Sequence, residues 1–429
     1  MTMHRREFLQ AAAAAAGVSV LPGCATTPGG GARGKVVVVG GGYGGATAAK
    51  YLRMWSGGSV EVTLIEPREA FVSCPMSNLV IGGSKTIADV TTPYDALASR
   101  WGVNFVRDTA TGIDADRRVV TTAGGKSFTY DRLVLSPGIE FMFGAIPSYR
   151  ADPSRAVEIA PHAWQAGPQT VLLRRQLEAM PDGGVYALSI PLAPYRCPPG
   201  PYERACQVAW YFKRQKPRSK VLVLDANPDV TSKKGLFTKA WNEEYKGIVE
   251  YRPNHALADV DLATRTLKFE FGNDVRANVI NVVPPQRAGA IARTAGVVTA
   301  NDRWCEVDFL TFESIRGKGI HVLGDSTQSA SGMPKSGHMA NNHAKVAASA
   351  ILSLLAGKPV NPAPVLTNTC YSFITDKEVV HVASVHQYDA AKKSILPVPG
   401  SGGLSPAMSE LEGRFAFAWA QNIWADALM

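Results

Sequence analysis

The chain alternates between apolar runs of strand length and longer stretches whose apolar positions recur at helical spacing. Residues 35–39 read KVVVV, a β-branched run without polar alternation, which predicts a strand buried on both faces. GGGYGG interrupts it, ATAAKYLRMW follows with helical spacing, and EVTLIEP returns to a second buried strand. Together these make a β-α-β unit. The same order recurs mid-chain in GGVYALSIPLAP, the helical PYERACQVAWYFKRQ and the strand SKVLVLDANPD. Two more apolar runs, YDRLVLSPG at 130–138 and GKGIHVLGDS at 317–326, end in turn residues, and the second leads into the helix of PKSGHMANNHAKVAASAILSLLAG. Strands alternating with helices predict an α/β protein with two Rossmann-like dinucleotide-binding domains. Residues 372–410 change character, with VPGSGGLSP reading as a loop. The tail EGRFAFAWAQNIWADALM carries an apolar stripe at helical spacing, expected to pack into a core, with an interface as the second reading.

The glycines give the first unit a chemistry. Gly40, Gly42 and Gly45 fit G-x-G-x-x-G: a tight turn, a backbone open to a pyrophosphate, and close helix–strand packing. Glu66 ends the next strand, where an acid would bind a ribose hydroxyl. The second unit has PLAPYRCPPGPYE in the corresponding place. Pro198, Pro199 and Pro201 carry no amide hydrogen, so this loop offers few donors to a phosphate. Nicotinamide dinucleotide is not expected there, and Cys197 is what the loop presents instead.

Composition narrows the class. A chain of 429 residues, 46% of them hydrophobic, buries a large core in about two to three domains. A net charge of +9 without basic runs interleaved with aromatics argues against nucleic acid as partner. HRREFLQAAAAAAGVSVLPGC sets Arg5 and Arg6 ahead of an apolar run too short to span a bilayer, which reads as a twin-arginine export signal and a periplasmic destination. Export in the folded state suits a protein loaded with a cofactor beforehand. LPGC leaves two readings open, a lipidated Cys24 tethering the chain to a membrane or cleavage nearby, with residues 1–33 as signal and linker. Six cysteines in an oxidising compartment make disulfides expected. No C-x-x-C-H or C-x-x-C occurs and the eight histidines lack a ligand spacing, so no haem attachment and no metal site is expected on this chain.

YDRLVLSPG and GKGIHVLGDS resemble the segments that complete the FAD domain of two-dinucleotide-domain flavoproteins of the glutathione reductase type. That resemblance implies FAD, with Gly324 and Asp325 at the ribityl chain and the next helix N-terminus at the electron-rich end of the flavin. More narrowly, VVVVGGGYGGATAAKY, EVTLIEP, CPMSN, YRCPPGPYERA, NVVPPQRAG, TFES, MPKSGH and LTNTCYS resemble the flavoprotein subunit of flavocytochrome c sulfide dehydrogenase, related to sulfide:quinone oxidoreductases. The likeness runs from about residue 34 to the C-terminus. It implies an FAD-binding domain at 34–145 and 285–360, a second Rossmann-like domain at 146–284 without a nucleotide loop, and a C-terminal flavin-interface domain at 361–429.

The same resemblance implies roles for single residues. Cys74 would hold FAD covalently, Cys197 and Cys370 would form a redox disulfide, Glu203 would manage a proton beside them, and Trp419 would face the flavin. Lys335, beside the helix aimed at the flavin, would balance a reduced flavin's charge. By themselves the residues leave plainer readings in place. Cys74 alone reads as a small buried hydrophobe, Glu203 as a helix-start carboxylate and Lys335 as a solvated side chain. A Cys197–Cys370 link reads equally as a staple contributing about 4–5 kcal/mol in the chain-entropy model. Cys206 and Cys305 read as bystanders.

The implied activity is FAD-dependent oxidation of sulfide to polysulfide or sulfur, begun by hydrosulfide attack on the disulfide, with electrons passed to a c-type cytochrome whose haem sits on a partner chain. Three alternatives accompany it: a sulfide:quinone oxidoreductase at the membrane, suggested by the aromatic tail; an NAD(P)H-dependent disulfide reductase, opposed by the proline loop; and an exported, non-catalytic flavin electron-transfer module. Which cysteine accepts the sulfur is left open.

Overall fold

A computed structural model describes residues 34–429. Arg5, Arg6 and Cys24, on which the readings of an export signal and of a lipidated cysteine rest, lie outside the described residues.

KVVVV forms the strand Lys35–Val39 inside a seven-stranded sheet, paired in parallel with Glu61–Ile65 on one side and Arg132–Leu135 on the other. Asn104–Val106 and Ile320–Val322 continue the parallel run, and Glu313–Ser314 and Val307–Asp308 add an antiparallel edge. Val36 to Val39 are buried, as expected of a strand covered on both faces. Helices Tyr43–Trp55 and Gly337–Leu355 pack together, and buried alanines on each, including Ala48, Ala49, Ala344 and Ala347, let the backbones approach closely.

The second unit folds around four parallel strands in the order Val249–Arg252, Lys220–Asp225, Val185–Ile190, Val279–Val282. The helix Gly200–Gln215 joins two of them, and Tyr186, Tyr202, Phe212 and Phe237 fill a core of their own beside it. The two expected Rossmann-like sheets are therefore what the chain builds.

After residue 361 the chain forms an antiparallel hairpin, Val365–Phe373 against Val379–Asp389, extended by Ser394–Pro397 and Gly403–Leu404. One face of the hairpin touches the helix Gly337–Leu355 and another part touches Gly200–Gln215, so it bridges both units. The tail is the helix Glu410–Leu428. Its buried face is made of Gly413, Ala416, Ala420, Ile423, Ala427 and Leu428, while Leu411 and Phe415 stand half out in solvent. The aromatic stripe adds core contact beside that small-residue face: half-buried Phe417, Trp419 and Trp424 pack against the core, Phe417 with its ring 5.1 Å from Phe373 and Trp424 Nε1 donating to the Tyr43 hydroxyl at 3.0 Å. Close packing demands small residues on the buried face: a Cβ on Gly413 would lie 1.9 Å from the Lys377 carbonyl oxygen. Asp426 pins the far end through Tyr51, Asn341 and Lys345 at 2.5, 2.7 and 2.9 Å. Among the described residues no helix is long and apolar enough to cross a membrane.

Candidate functional site

A cleft with ≈ 1320 Å³ of open space lies where the glycine loop, the proline loop, the start of the helix Gly337–Leu355 and the hairpin converge. Its dinucleotide end follows from backbone sterics. Gly40 adopts φ 96°, and a Cβ on Gly45 would sit 1.8 Å from the Gly40 carbonyl oxygen, so only glycines close this turn. A Cβ on Gly42 would meet nothing within 4 Å, because that backbone faces the cleft. Glu66 is buried, and its two carboxylate oxygens accept from the Gly41 and Arg68 amides at 2.7 and 3.0 Å, each keeping a free lone pair.

Gly324 turns the chain at φ 67° and donates its amide to His343 Nδ1 at 3.2 Å. This aims Asp325 into the cleft, where Oδ1 is shut off from solvent and has no partner within the protein. Burial raises the Asp325 pKa, against the pull of Arg196 and Lys335. A buried carboxylate oxygen without a partner calls for a donor. The ribityl hydroxyls of FAD answer that demand, and the bare glycine loop leaves room for its pyrophosphate, so the residues fit the cofactor. The helix Gly337–Leu355, capped by Ser336 accepting from Met339 N at 3.0 Å, starts at the same cleft and adds a positive dipole end.

Three cysteines line this space: Cys74, Cys197 and Cys370, all free thiols. Cys74 follows the short strand Ala70–Val72, and its sulfur accepts from Arg196 Nη2 at 3.0 Å and the Ala166 amide at 3.5 Å. The same guanidinium nitrogen reaches the Trp164 carbonyl. Cys197 holds a left-handed conformation, φ 55°, clamped by its own amide donating to the Lys335 carbonyl and by Gly200 N donating to its carbonyl, both at 2.8 Å. Cys370 comes from the hairpin strand Val365–Phe373, with Asn368 Nδ2 at 3.3 Å from its sulfur. Burial raises both thiols; for Cys197 the neighbouring Cys370 and Glu203 add to the rise, and for Cys370 the Lys233 ammonium opposes it.

Glu203, in the first turn of Gly200–Gln215, is buried rather than solvated. Its oxygens accept from Asn78 Nδ2 at 2.9 Å and Phe373 N at 3.0 Å, yet burial still raises its pKa. Lys335 lines the cleft and is buried rather than solvated. Its ammonium donates to the carbonyls of Asp325 and Thr327 at 2.9 and 2.5 Å and stacks 3.7 Å from the Trp304 ring centroid. That geometry braces the Asp325 turn within the cleft lining. Trp419 lines the cleft edge-on to His338, ring centroids 5.8 Å apart. Cys206 and Cys305 are fully buried in the two cores and do not line the cleft.

Four groups escaped the sequence reading. Arg196 and Asn78 engage Cys74 and Glu203 as described. Lys233, at the start of the helix Lys234–Glu243, reaches the Cys370 carbonyl at 2.7 Å. Asp225 ends its strand where Glu66 ends its own, but its carboxylate is filled from within: Tyr202 and Tyr251 hydroxyls donate to Oδ2 at 2.8 and 3.1 Å, Asn227 N and Nδ2 to Oδ1 at 2.9 and 2.7 Å. Its place at a strand end was the available signal. No ribose hydroxyl has a vacant acid to meet there, which agrees with the proline loop.

A first domain shaped for FAD, facing a second whose dinucleotide acid is already occupied, puts the protein among the two-dinucleotide-domain flavoprotein oxidoreductases. Residues 34–155 match the pyridine nucleotide-disulphide oxidoreductase family, 170–284 the central domain of the sulfide dehydrogenase [flavocytochrome c] flavoprotein chain, and 362–428 the flavocytochrome c sulphide dehydrogenase flavin-binding domain. The flavoprotein chain of sulfide dehydrogenase [flavocytochrome c] from Chlorobaculum thiosulfatiphilum is 63% identical over 38 residues, covering 9% of this chain and 77% of that sequence. The chain belongs to the flavocytochrome c sulfide dehydrogenase flavoprotein family, and its flavin-binding domains support FAD as cofactor. The mitochondrial sulfide:quinone oxidoreductase of Dictyostelium discoideum is 22% identical over 293 residues, 66% of this chain but only 63% of that protein's length. The solved sulfide:quinone oxidoreductase of Aquifex aeolicus shares the fold, with a TM-score of 0.74 at 20% identity over 92% of this chain and 91% of that one.

Proposed function

We propose that this protein oxidises sulfide to polysulfide or sulfur at the Cys197–Cys370 pair and passes the electrons to a c-type cytochrome. The observation that carries the reading is that two thiols from separate parts of the fold line the same cleft as the open glycine loop and the unpartnered Asp325 oxygen. Bound FAD supplies the two-electron acceptor that releases electrons one at a time. Gly40, Gly42, Gly45, Glu66, Gly324 and Asp325 hold it, and Trp419 keeps water from one side of the cleft. Cys74, its sulfur facing a guanidinium and an amide, is the proposed covalent tether.

In its oxidised form the pair is a disulfide. Hydrosulfide attacks one sulfur, a new S–S bond forms there, the old one breaks, and its electron pair stays on the other cysteine as a thiolate. Glu203, buried with its pKa raised above the ordinary carboxylate value, is placed to take the proton from that exchange. The occupied Asp225 and the prolines make NAD(P)H an unsuitable electron donor. The cytochrome's haem belongs to a partner chain, and the twin-arginine signal supports a periplasmic site of action.

The test is anaerobic titration of the purified holoprotein with sulfide, followed by flavin absorbance, then addition of oxidised cytochrome c. Sulfide bleaches the flavin, cytochrome c restores its colour, and Cys197→Ser or Cys370→Ser abolishes the bleaching. Bleaching that survives both substitutions, or that NADH produces as fast, refutes the reading. Reoxidation by a quinone analogue with cytochrome c left oxidised refutes the acceptor.

A further inference from the structure

Arg196 stands on the proline loop with its backbone held at both ends: its amide donates to Gln286 Oε1 at 3.0 Å and its carbonyl accepts from Trp164 Nε1 at 3.3 Å. The side chain is left to reach along the cleft, where Nη2 donates to the Cys74 sulfur at 3.0 Å and to the Trp164 carbonyl. The Ala166 amide reaches the same sulfur at 3.5 Å. Among the described residues no carboxylate forms an ion pair with this guanidinium. A cation drawn out of bulk water without a carboxylate against it calls for another anion. Burial works against the Arg196 charge, while Cys74, ahead of Asp325 and Cys197, favours it and the pKa is raised. A guanidinium keeps that charge throughout the range in which a thiol ionises.

The other cations that line the cleft without touching a sulfur are committed elsewhere. Lys335 donates to the Asp325 and Thr327 carbonyls. Arg204, 2% exposed, spends its nitrogens on Asn78 Oδ1, Asn281 Oδ1 and the carbonyls of His162 and Ala163, at 2.5–3.0 Å. Of the three cleft thiols, only Cys74 has a cation within hydrogen-bond distance of its sulfur; the Cys370 sulfur meets the neutral Asn368 instead. The backbone of Cys74 is fixed as well, its carbonyl accepting from Ser77 N at 3.1 Å and Ser77 Oγ at 2.7 Å. Sulfur and guanidinium therefore meet between two anchored loops.

We propose that Arg196 drives the covalent attachment of the flavin: it holds Cys74 at the cleft wall and balances the charge of its thiolate while the sulfur–carbon bond forms. The proposal rests on the reading of Cys74 as the covalent tether and adds to it an activity, self-attachment of FAD by the chain's own residues. The thiolate, not the thiol, is the nucleophile. Cys74 gives its proton to solvent, and its sulfur electron pair forms a bond to the carbon of a flavin ring methyl group. One C–H bond of that methyl breaks, its electron pair enters the isoalloxazine, and the proton ends on the ring. The methyl carbon is thereby oxidised and the flavin reduced by two electrons. These leave one at a time to the ferric haem of a c-type cytochrome, the acceptor proposed above, and Arg196 emerges unchanged.

The experiment uses the full chain expressed under riboflavin limitation, to which FAD and oxidised cytochrome c are added. Samples are gel-filtered at intervals and acid-precipitated: flavin in the pellet is covalently held, and flavin in the acid supernatant was bound without a bond. In the wild type the pellet flavin rises with time. Arg196→Met keeps an unbranched side chain without the charge; it retains FAD through gel filtration and forms pellet flavin at least about tenfold more slowly, the factor expected of a lost charge-assisted hydrogen bond. Arg196→Lys recovers part of that rate. An Arg196→Met rate equal to the wild type's overturns the proposal. So does loss of bound FAD from that variant, because the guanidinium then serves binding or the fold, and so does an Arg196→Lys rate no higher than that of Arg196→Met. Failure of the tether reading looks different: the wild-type pellet stays colourless, or Cys74→Ala forms pellet flavin as fast as the wild type, and the inference falls with it. An unslowed Arg196→Met beside a colourless Cys74→Ala pellet removes Arg196 alone and keeps the tether.

Discussion

Replacing Gly42 by alanine separates the fold of the glycine loop from its ligand. Gly42 has φ −71° and ψ −169°, an ordinary extended conformation for alanine, and the added Cβ would touch nothing within 4 Å. The folded protein without flavin therefore loses little; an alanine N-cap costs at most about 1 kcal/mol relative to glycine. The methyl group instead occupies the space through which a pyrophosphate approaches the backbone. In a Cys74→Ala background, where any flavin is held without a covalent link, FAD at 100 times its Kd stabilises the parent by about 2.7 kcal/mol. Gly42→Ala is expected to lose nearly all of that increment. Urea unfolding with and without FAD, followed by circular dichroism, measures both quantities at once. Gly45→Ala is the contrast, because its Cβ would lie 1.8 Å from the Gly40 carbonyl oxygen and must move backbone; it is expected to destabilise the protein even without FAD. If Gly42→Ala retains the full FAD increment, or if it unfolds as readily as Gly45→Ala, the assignment of Gly42 to the pyrophosphate is wrong.

Acid precipitation of the wild type should leave flavin in the pellet and that of Cys74→Ala should not; a colourless wild-type pellet removes the covalent tether. Tyr202→Phe deletes the 2.8 Å bond to Asp225 and the acceptor for Thr231 N at 3.0 Å, and should cost about 1.5–3 kcal/mol in urea unfolding without creating NADH affinity; an unchanged midpoint contradicts the occupied-acid account. Because burial raises the folded pKa of Glu203, its contribution to stability is complete below about pH 4.3, the unfolded value, and is lost as pH rises through the folded value. The stability of the wild type relative to Glu203→Gln should thus fall with rising pH above that point, and parallel pH profiles would show that Glu203 is not perturbed by burial.

What could be read along the chain was whatever local sterics impose. A β-branched run not alternating with polar residues makes a buried strand, glycines at 40 and 45 make a turn no other residue closes, and prolines at 198, 199 and 201 remove donors wherever the loop lies. These are short-range constraints, so KVVVV, EVTLI and SKVLVLD became the strands of two Rossmann-like sheets. The tail helix and its packing were legible too, but not that its most buried positions would be a glycine and alanines, because that depends on how near the opposing backbone stands. Lys335 read equally as a charge for the cofactor or as a solvated side chain; only the fold revealed that it is buried, with Trp304 and two carbonyls engaging it. Nothing near Lys233 in the sequence points to Cys370, and nothing near Asp225 announces Tyr251 as its partner. Such groups meet because the hairpin lies across both units, and the energy of a buried charge is set by what surrounds it in space. The sequence by itself therefore determined the elements, the glycine loop and a second loop poor in amide donors. The tertiary structure alone decided which charges face which sulfurs, since ionisation in a cleft depends on distance and burial, neither of which the order of residues encodes locally.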